Sequence, residues 1–216
     1  MYETSEMVIH PNKTLNLVLG DSHSICMYRP GWMVHSIPFK TLYGGLNDEV
    51  EGHPSPFKIS SYEVPFAHNV EFYFGNIDIR HHLCRQTNPE QSTKDLVKKY
   101  IEKVGNLRLK SVSIYEPLPI ENESRKIPKS GWYKGTSFYG DWTQRNKIRN
   151  VFIEALEEYC ERSDINLIKW TNKLLNSKEE LGFEYMEKPQ SVHLSREYYP
   201  YWTGDDSSLS DFFNGA

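Results

Sequence analysis

Four short apolar runs, three of them stopped by turn-forming or charged residues, constrain the fold of this chain more than any other feature. They cover residues 15–19, 70–74 and 111–115, with a weaker run at 166–170. The first three end at Gly20-Asp21, Gly75-Asn76 and Glu116-Pro117 respectively. Short apolar runs with polar residues at the carboxyl end are typical of buried parallel strands.

Helical patterns lie between these runs. Ser92 or Thr93 is a candidate cap for a helix that Gly105 would end, and Thr143 is a candidate cap for a second helix. A shorter third helix is predicted over residues 174–181. The two long patterns place the following residues on one face each: Leu96, Val97, Tyr100, Ile101 and Val104, then Ile148, Phe152, Ala155, Leu156 and Tyr159.

Strands that alternate with helices predict an α/β fold with a parallel sheet flanked by helices on both faces. In such sheets ligands bind beyond the carboxyl ends of the strands, so the residues that follow each run are the candidates for function. A length of 216 residues suits one domain, here predicted over residues 1–216. No regular element is predicted over residues 47–65 or in a long aromatic-rich loop over residues 121–141.

Composition argues against several classes of binding partner and against structural zinc or disulfides. A net charge of -4 without a basic run argues against nucleic-acid binding. Three cysteines without a Cys-x-x-Cys pair predict neither a zinc site nor a disulfide framework. Because the sequence shows no signal-peptide pattern and no apolar run of membrane-spanning length, we expect a cytoplasmic protein without a membrane partner.

Four segments carry groups suited to catalysis. The first run delivers Ser22 onto a tight Gly-Asp-Ser turn at the predicted sheet edge, where turn amides could also favour an anion. Gly44 and Gly45 offer bare backbone that an oxyanion could approach, and residues 75–80 (Gly-Asn-Ile-Asp-Ile-Arg) follow the second run directly. His193 stands in a loop-like setting near the C-terminus.

In this order the four segments resemble the blocks of the SGNH (GDSL-type) serine hydrolases, including a subgroup with Gly-Asp-Ser-His and Gly-Glu-Ile-Asp-Cys-Arg blocks. The resemblance implies a flavodoxin-like three-layer sandwich and an esterase that acts through an acyl-enzyme without a cofactor. It implies Ser22 as nucleophile and His193 as general base, because a serine hydroxyl needs a base to take its proton. The oxyanion hole would consist of the Ser22 amide, the amide of Gly44 or Gly45, and the Asn76 side chain.

The sequence departs from the family pattern at two places. The family's asparagine stands at Gly-x-Asn-Asp, whereas Asn76 comes one residue earlier, and the aspartate of the family's Asp-x-x-His is Gln190. A glutamine cannot stabilise an imidazolium as a carboxylate does. Three alternatives therefore stay open: a Ser-His dyad, a carboxylate supplied by Glu187 or Asp205, and a non-catalytic binding module on the same fold.

A metal-dependent phosphoesterase is the second reading. Gly20-Asp21-Ser22-His23 also matches Gly-Asp-x-His, and Asp78 with His81-His82 could supply further ligands. The other motifs of the calcineurin-type enzymes are absent from the sequence, which ranks this reading below the serine hydrolase.

The predicted substrate is a small or carbohydrate-linked ester. Arg80 could orient an anionic group through its planar fork, or could instead pair with Asp78 or Glu116. Asp78, His23 and Trp132 are the other predicted substrate contacts. The aromatic stretch that contains Trp132 is predicted either as a lid or sugar platform, or as a hydrophobic cluster that fixes the loop.

Overall fold

The computed structural model describes residues 16–38, 40–47, 69–107, 109–122, 129, 134–135, 138–188 and 191–201. Its centre is a five-stranded sheet in the order β2-β1-β3-β4-β5, and each neighbouring pair of strands is parallel. The strands are β1 (Asn16–Asp21), β2 (Met33–Ile37), β3 (Asn69–Tyr73), β4 (Ser111–Tyr115) and β5 (Asn166–Ile168). The chain continues from β1 to β2 on one side and then to β3 on the other. The strand order therefore reverses between β1 and β3, and sheets of this kind bind ligands at that point.

In the described part of the chain, four α-helices accompany the sheet: α1 (Leu42–Asn47), α2 (Asn76–His81), α3 (Pro89–Gly105) and α4 (Trp142–Ser163). Successive side chains of a strand point to opposite faces, so Leu17 and Leu19 pack against the helices while Val18 points the other way. The core on the helical face includes Tyr100 of α3 and Phe152 of α4, both fully buried.

The other face of the sheet is covered by short 3₁₀ turns and the segments that join them. The turn Ser22–Met27 follows β1, and the turns Asn172–Leu174, Phe183–Tyr185 and Arg196–Tyr198 follow β5. Their apolar residues, among them Leu174, Leu181 and Leu194, pack on Val18 and Tyr73. The predicted α/β three-layer sandwich is thus confirmed, although short turns form the second outer layer in the described part of the chain.

Both long helices begin earlier than predicted, because an asparagine or aspartate upstream supplies the cap. Asn88 caps α3, and Pro89 occupies its first position. Asp141 and Gln144 form a reciprocal capping box at the start of α4, two residues before the predicted Thr143 cap.

The predicted helix over residues 174–181 is wrong. Leu175 and Leu181 instead form an antiparallel bridge around a turn. The Asn176 side chain accepts hydrogen bonds from the amides of Lys178 and Glu180 at 2.9 and 3.0 Å, and these bonds stabilise a turn in place of a helix.

Several predicted features lie outside the described residues. They comprise nearly all of residues 47–65 and much of residues 121–141, including Trp132. Among the described helices, none has the length and apolar character needed to cross a bilayer.

Candidate active site

The turn that carries Ser22 depends on glycine at position 20. A Cβ atom there would lie 2.4 Å from the Tyr73 carbonyl oxygen and 2.5 Å from Ser24 Cβ, so no other residue fits. Asp21 then caps the turn, because its Oδ1 accepts the amide of His23 at 2.9 Å. Ser22 is left as the first residue of the turn, partly exposed at the carboxyl end of β1.

His193 is held by a backbone pairing within its own loop. Met186 and Leu194 form an antiparallel bridge, and the amide of Glu187 donates to the carbonyl of His193 at 3.0 Å. This pairing places His193 Nε2 3.1 Å from Ser22 Oγ, which is hydrogen-bonding distance. Two residues that are 171 positions apart in the chain thus form a serine–imidazole pair.

Glu187 lies on the other side of the same imidazole. Its Oε1 is 3.8 Å from His193 Nδ1 and accepts the Ser191 hydroxyl at 2.9 Å. The imidazole, together with the Ser191 hydroxyl, lowers the pKa of Glu187 to about 2, so the carboxylate is ionised at neutral pH. Gln190 and Asp205 lie outside the described residues.

His23 forms a buried wall beside His193. The two rings meet edge-on, with centroids 4.9 Å apart. His23 Nδ1 lies 2.9 Å from Asp21 Oδ1, and burial lowers the pKa of His23, which favours its neutral form. At 4% exposure, His23 packs against His193 rather than facing solvent, so the structure does not support its prediction as a substrate contact.

Asn76 is fully buried where α2 begins, just beyond β3. Its Oδ1 accepts the amide of Leu118 at 2.8 Å, which turns its Nδ2 towards Asp21 Oδ2 at 3.4 Å. Gly75 makes this entry possible, because its φ is 103° and a Cβ there would lie 2.7 Å from Phe152 Cζ. Asn76 and Ser22 are therefore linked through Asp21.

The amides of Gly44 and Gly45 are already occupied. Gly44 donates to the Thr41 hydroxyl at 2.9 Å, and Gly45 donates to the Thr41 carbonyl at 3.0 Å. An oxyanion would have to displace these bonds, so the structure does not support the predicted contribution of either glycine.

Asp78 and Arg80 are structural, which corrects their prediction as substrate contacts. Asp78 is 1% exposed and accepts the amides of Leu42 and Tyr43 at 2.7 and 3.1 Å, so it caps α1 from a distant part of the chain. Burial raises the pKa of Asp78 to about 6.

Arg80 is also 1% exposed and pairs with Glu121, not with either predicted partner. Its Nε lies 2.9 Å from both carboxylate oxygens of Glu121, and its Nη2 lies 2.7 Å from Oε2. Further bonds to the carbonyls of Asn76 and Pro119, both at 3.2 Å, occupy the rest of the guanidinium.

The predicted metal ligands do not converge. Asp21 and His23 bond to each other, and Asp78 bonds to α1. Within the described residues, no three His, Cys, Asp or Glu side chains are grouped as metal ligands would be.

No family model and no curated protein matches the chain. Solved structures do match it. A Bacteroides fragilis protein assigned as an acylhydrolase superposes with a TM-score of 0.59 at 15% identity, covering 95% of this chain and 89% of that one. A lipolytic protein of the G-D-S-L family from Desulfitobacterium hafniense gives 0.51 at 15% identity, covering 87% and 94%. The chain has the SGNH hydrolase fold. The carbohydrate acetylesterase Est24 of Sinorhizobium meliloti is also similar, with a TM-score of 0.52 at 12% identity and coverage of 94% and 99%.

Proposed function

We propose that this chain is a serine ester hydrolase in which Ser22, His193 and Glu187 act as nucleophile, base and orienting carboxylate. The observation that carries the proposal is the 3.1 Å approach of His193 Nε2 to Ser22 Oγ at the switch point of the sheet. Glu187 supplies the charge that Gln190 lacks, since it lies beside Nδ1 of the same ring.

The reaction follows from this geometry. His193 Nε2 takes the Ser22 proton as Oγ attacks the ester carbonyl, and the imidazolium then protonates the leaving alcohol. Water then attacks the acyl-enzyme as the same nitrogen takes its proton, and His193 returns that proton to Ser22 Oγ when the acid leaves. We assign the oxyanion to the amide of Ser22 and to the N–H of Asn76 Nδ2 that does not face Asp21, and no cofactor takes part in these steps.

The proposed substrate class is a small or carbohydrate-linked ester. The structural neighbours are named as acylhydrolases, lipolytic proteins and a carbohydrate acetylesterase, which supports ester chemistry without fixing the acyl group.

A fluorophosphonate probe tests the proposal directly. Mass spectrometry should place the adduct on Ser22, and Ser22→Ala should abolish it. Ser24→Ala is the matched control, because Ser24 lies in the same turn but its hydroxyl donates to the Asp21 carbonyl at 2.8 Å. An adduct at another residue, or esterase activity without any adduct, would contradict the assignment.

Chelation separates this proposal from the metal-dependent reading. Hydrolysis of p-nitrophenyl acetate should survive dialysis against EDTA. Loss of activity that manganese or zinc restores would favour the phosphoesterase instead.

A further inference from the structure

A cleft of about 390 Å³ lies at the carboxyl ends of β4 and β5, apart from the serine–imidazole pair. Glu116 follows β4, Trp170 follows β5, and Arg149 reaches the cleft from α4. Leu118 connects the cleft with the candidate active site, because its amide donates to Asn76 and its carbonyl accepts from Arg149. The volume falls within the range of small-molecule sites.

Arg149 is only partly satisfied by the protein. Its Nε donates to the carbonyls of Pro117 and Leu118 at 3.1 and 3.2 Å, which fixes the plane of the guanidinium. Nη2 lies 3.9 Å from Glu116 Oε2, beyond hydrogen-bonding distance. Within the described residues neither terminal nitrogen has a hydrogen-bond acceptor, so their N–H groups remain for a ligand.

Among the residues that the structure describes, Glu116 has a carboxylate oxygen without a hydrogen-bond donor, which complements the open N–H groups of Arg149. The residue is 6% exposed, and its Oε2 accepts the amide of Trp170 at 3.2 Å. In the described part of the chain Oε1 accepts no hydrogen bond. Burial raises the pKa of Glu116 and lowers that of Arg149, so the charged forms of both groups are held at a cost. Neither the terminal nitrogens of Arg149 nor Glu116 Oε1 is a fully buried unpaired atom, so these groups open onto the cleft, where a ligand can reach them.

The open N–H groups of Arg149 and the open oxygen of Glu116 determine which functional groups a ligand in the cleft must carry. Lys169 also lines the cleft but is paired with Glu157, so Arg149 and Glu116 are the open charges. An anion would meet the Glu116 carboxylate and a cation would meet Arg149, whereas adjacent hydroxyl groups can accept from one and donate to the other. Trp170, Pro119 and Ile153 add apolar surface that suits the C–H face of a ring. We infer that the cleft binds a neutral polyhydroxylated ligand, namely a sugar residue, through Arg149 and Glu116.

NMR of the Trp170 indole tests the inference. The indole N–H donates to the Glu116 carbonyl at 2.9 Å, so its signal, identified with Trp170→Phe, reports on the cleft. Methyl glucoside, methyl galactoside and methyl xyloside are titrated separately, and at least one should give a saturable shift. Cyclohexylmethanol and inorganic phosphate should give none.

Substitutions then locate the bound sugar. Arg149→Met should raise the Kd by about tenfold or more, as expected for lost hydrogen bonds to a charged group. Arg162→Met is the matched control in the same helix, since Arg162 is exposed and pairs with Glu158. If Arg149→Met does not fold, Glu116→Gln replaces it, and weakened binding is again expected.

Ser22→Ala should bind the sugar as the parent does, so this inference can fail or hold independently of the proposed hydrolysis. The inference is overturned if all three glycosides give no saturable shift, if phosphate or cyclohexylmethanol produces one, or if Arg149→Met and Glu116→Gln bind normally. It is equally overturned if Ser22→Ala abolishes binding, because the sugar would then occupy the catalytic site.

Discussion

Replacing Glu187 by glutamine removes the charge beside His193 while keeping the size of the side chain. A unit charge at the 3.8 Å separation of Glu187 Oε1 and His193 Nδ1 interacts with an imidazolium by roughly 1 kcal/mol in bulk water and about 4 kcal/mol at an effective dielectric constant of about 20. The Glu187 side chain is 43% exposed, so solvent screening places the value near the lower limit. We expect a loss of about 1–2 kcal/mol, which is roughly a 5- to 30-fold fall in kcat.

This loss is smaller than the factor of about 10⁴ seen when a buried orienting aspartate becomes an amide in a serine protease. The measurement is kcat for p-nitrophenyl acetate together with the rate of fluorophosphonate labelling of Ser22. Glu184→Gln, an exposed change in the adjacent turn, should leave both readouts unaltered.

The reasoning is refuted if Glu187→Gln matches the parent in kcat and in labelling rate while His193→Ala is inactive. Gln190→Asp adds a second check. Because Glu187 already supplies a carboxylate, this substitution should raise turnover little, and a large gain would show that His193 lacks an effective anion.

Three further predictions concern stability, each measured by urea unfolding. Gly75→Ala should lower the free energy of unfolding by roughly 2–5 kcal/mol, because the new Cβ would lie 2.7 Å from Phe152 and the residue has an unfavourable φ. Gly31→Ala, at φ 79° with open space around it, should lower it by only about 1 kcal/mol, and equal losses would argue against the steric clash at Gly75. Glu121→Gln leaves Arg80 buried without its counter-ion and should cost about 3–5 kcal/mol, and a neutral result would contradict the proposed importance of this pair. The pKa of Glu187 falls on folding from 4.5 to about 2, so its stabilising contribution is complete above pH 4.5 and is lost as pH falls towards 2. The difference in free energy of unfolding between parent and Glu187→Gln should therefore shrink over that pH range, and a difference that widened would contradict the lowered pKa.

The sequence pattern predicts strands best where successive residues of a strand are all buried. Three strands are predicted from apolar runs with a clear end, and the mostly buried side chains of β1 and β3 explain the strength of that signal. The weaker run at 166–170 corresponds to β5, which is short and partly exposed. β2 was missed because it lies at the sheet edge with one buried residue, Val34, among partly exposed neighbours that include His35 and Ser36. Its pattern carries no apolar run to detect.

Features that depend on distant partners could not be predicted. α1 contains two glycines and has poor helix propensity, yet Asp78 caps it from 36 positions away. Arg80 was interpreted as a substrate contact because its partner Glu121 is 41 positions further along, in a segment without a regular pattern. Motif order leads to Ser22 and His193, whose side chains lie 3.1 Å apart, whereas selecting Glu187 among the possible carboxylates requires the geometry of its loop.

Because of that loop, motion should affect the distance between His193 and Glu187 less than the distance between His193 and Ser22. His193 and Glu187 are joined by a bridge within one loop, whereas Ser22 belongs to the turn after β1. A fluctuation that lifts the loop from the sheet would lengthen the distance between His193 and Ser22 but would carry the imidazole and its carboxylate together. Loop displacement would therefore separate Ser22 from its proposed base while leaving the contact between His193 and Glu187 intact. Hydrogen exchange at the amide of Glu187, which bridges to His193, and the labelling rate of Ser22 would then report two separate opening events, one within the loop and one between the loop and the sheet.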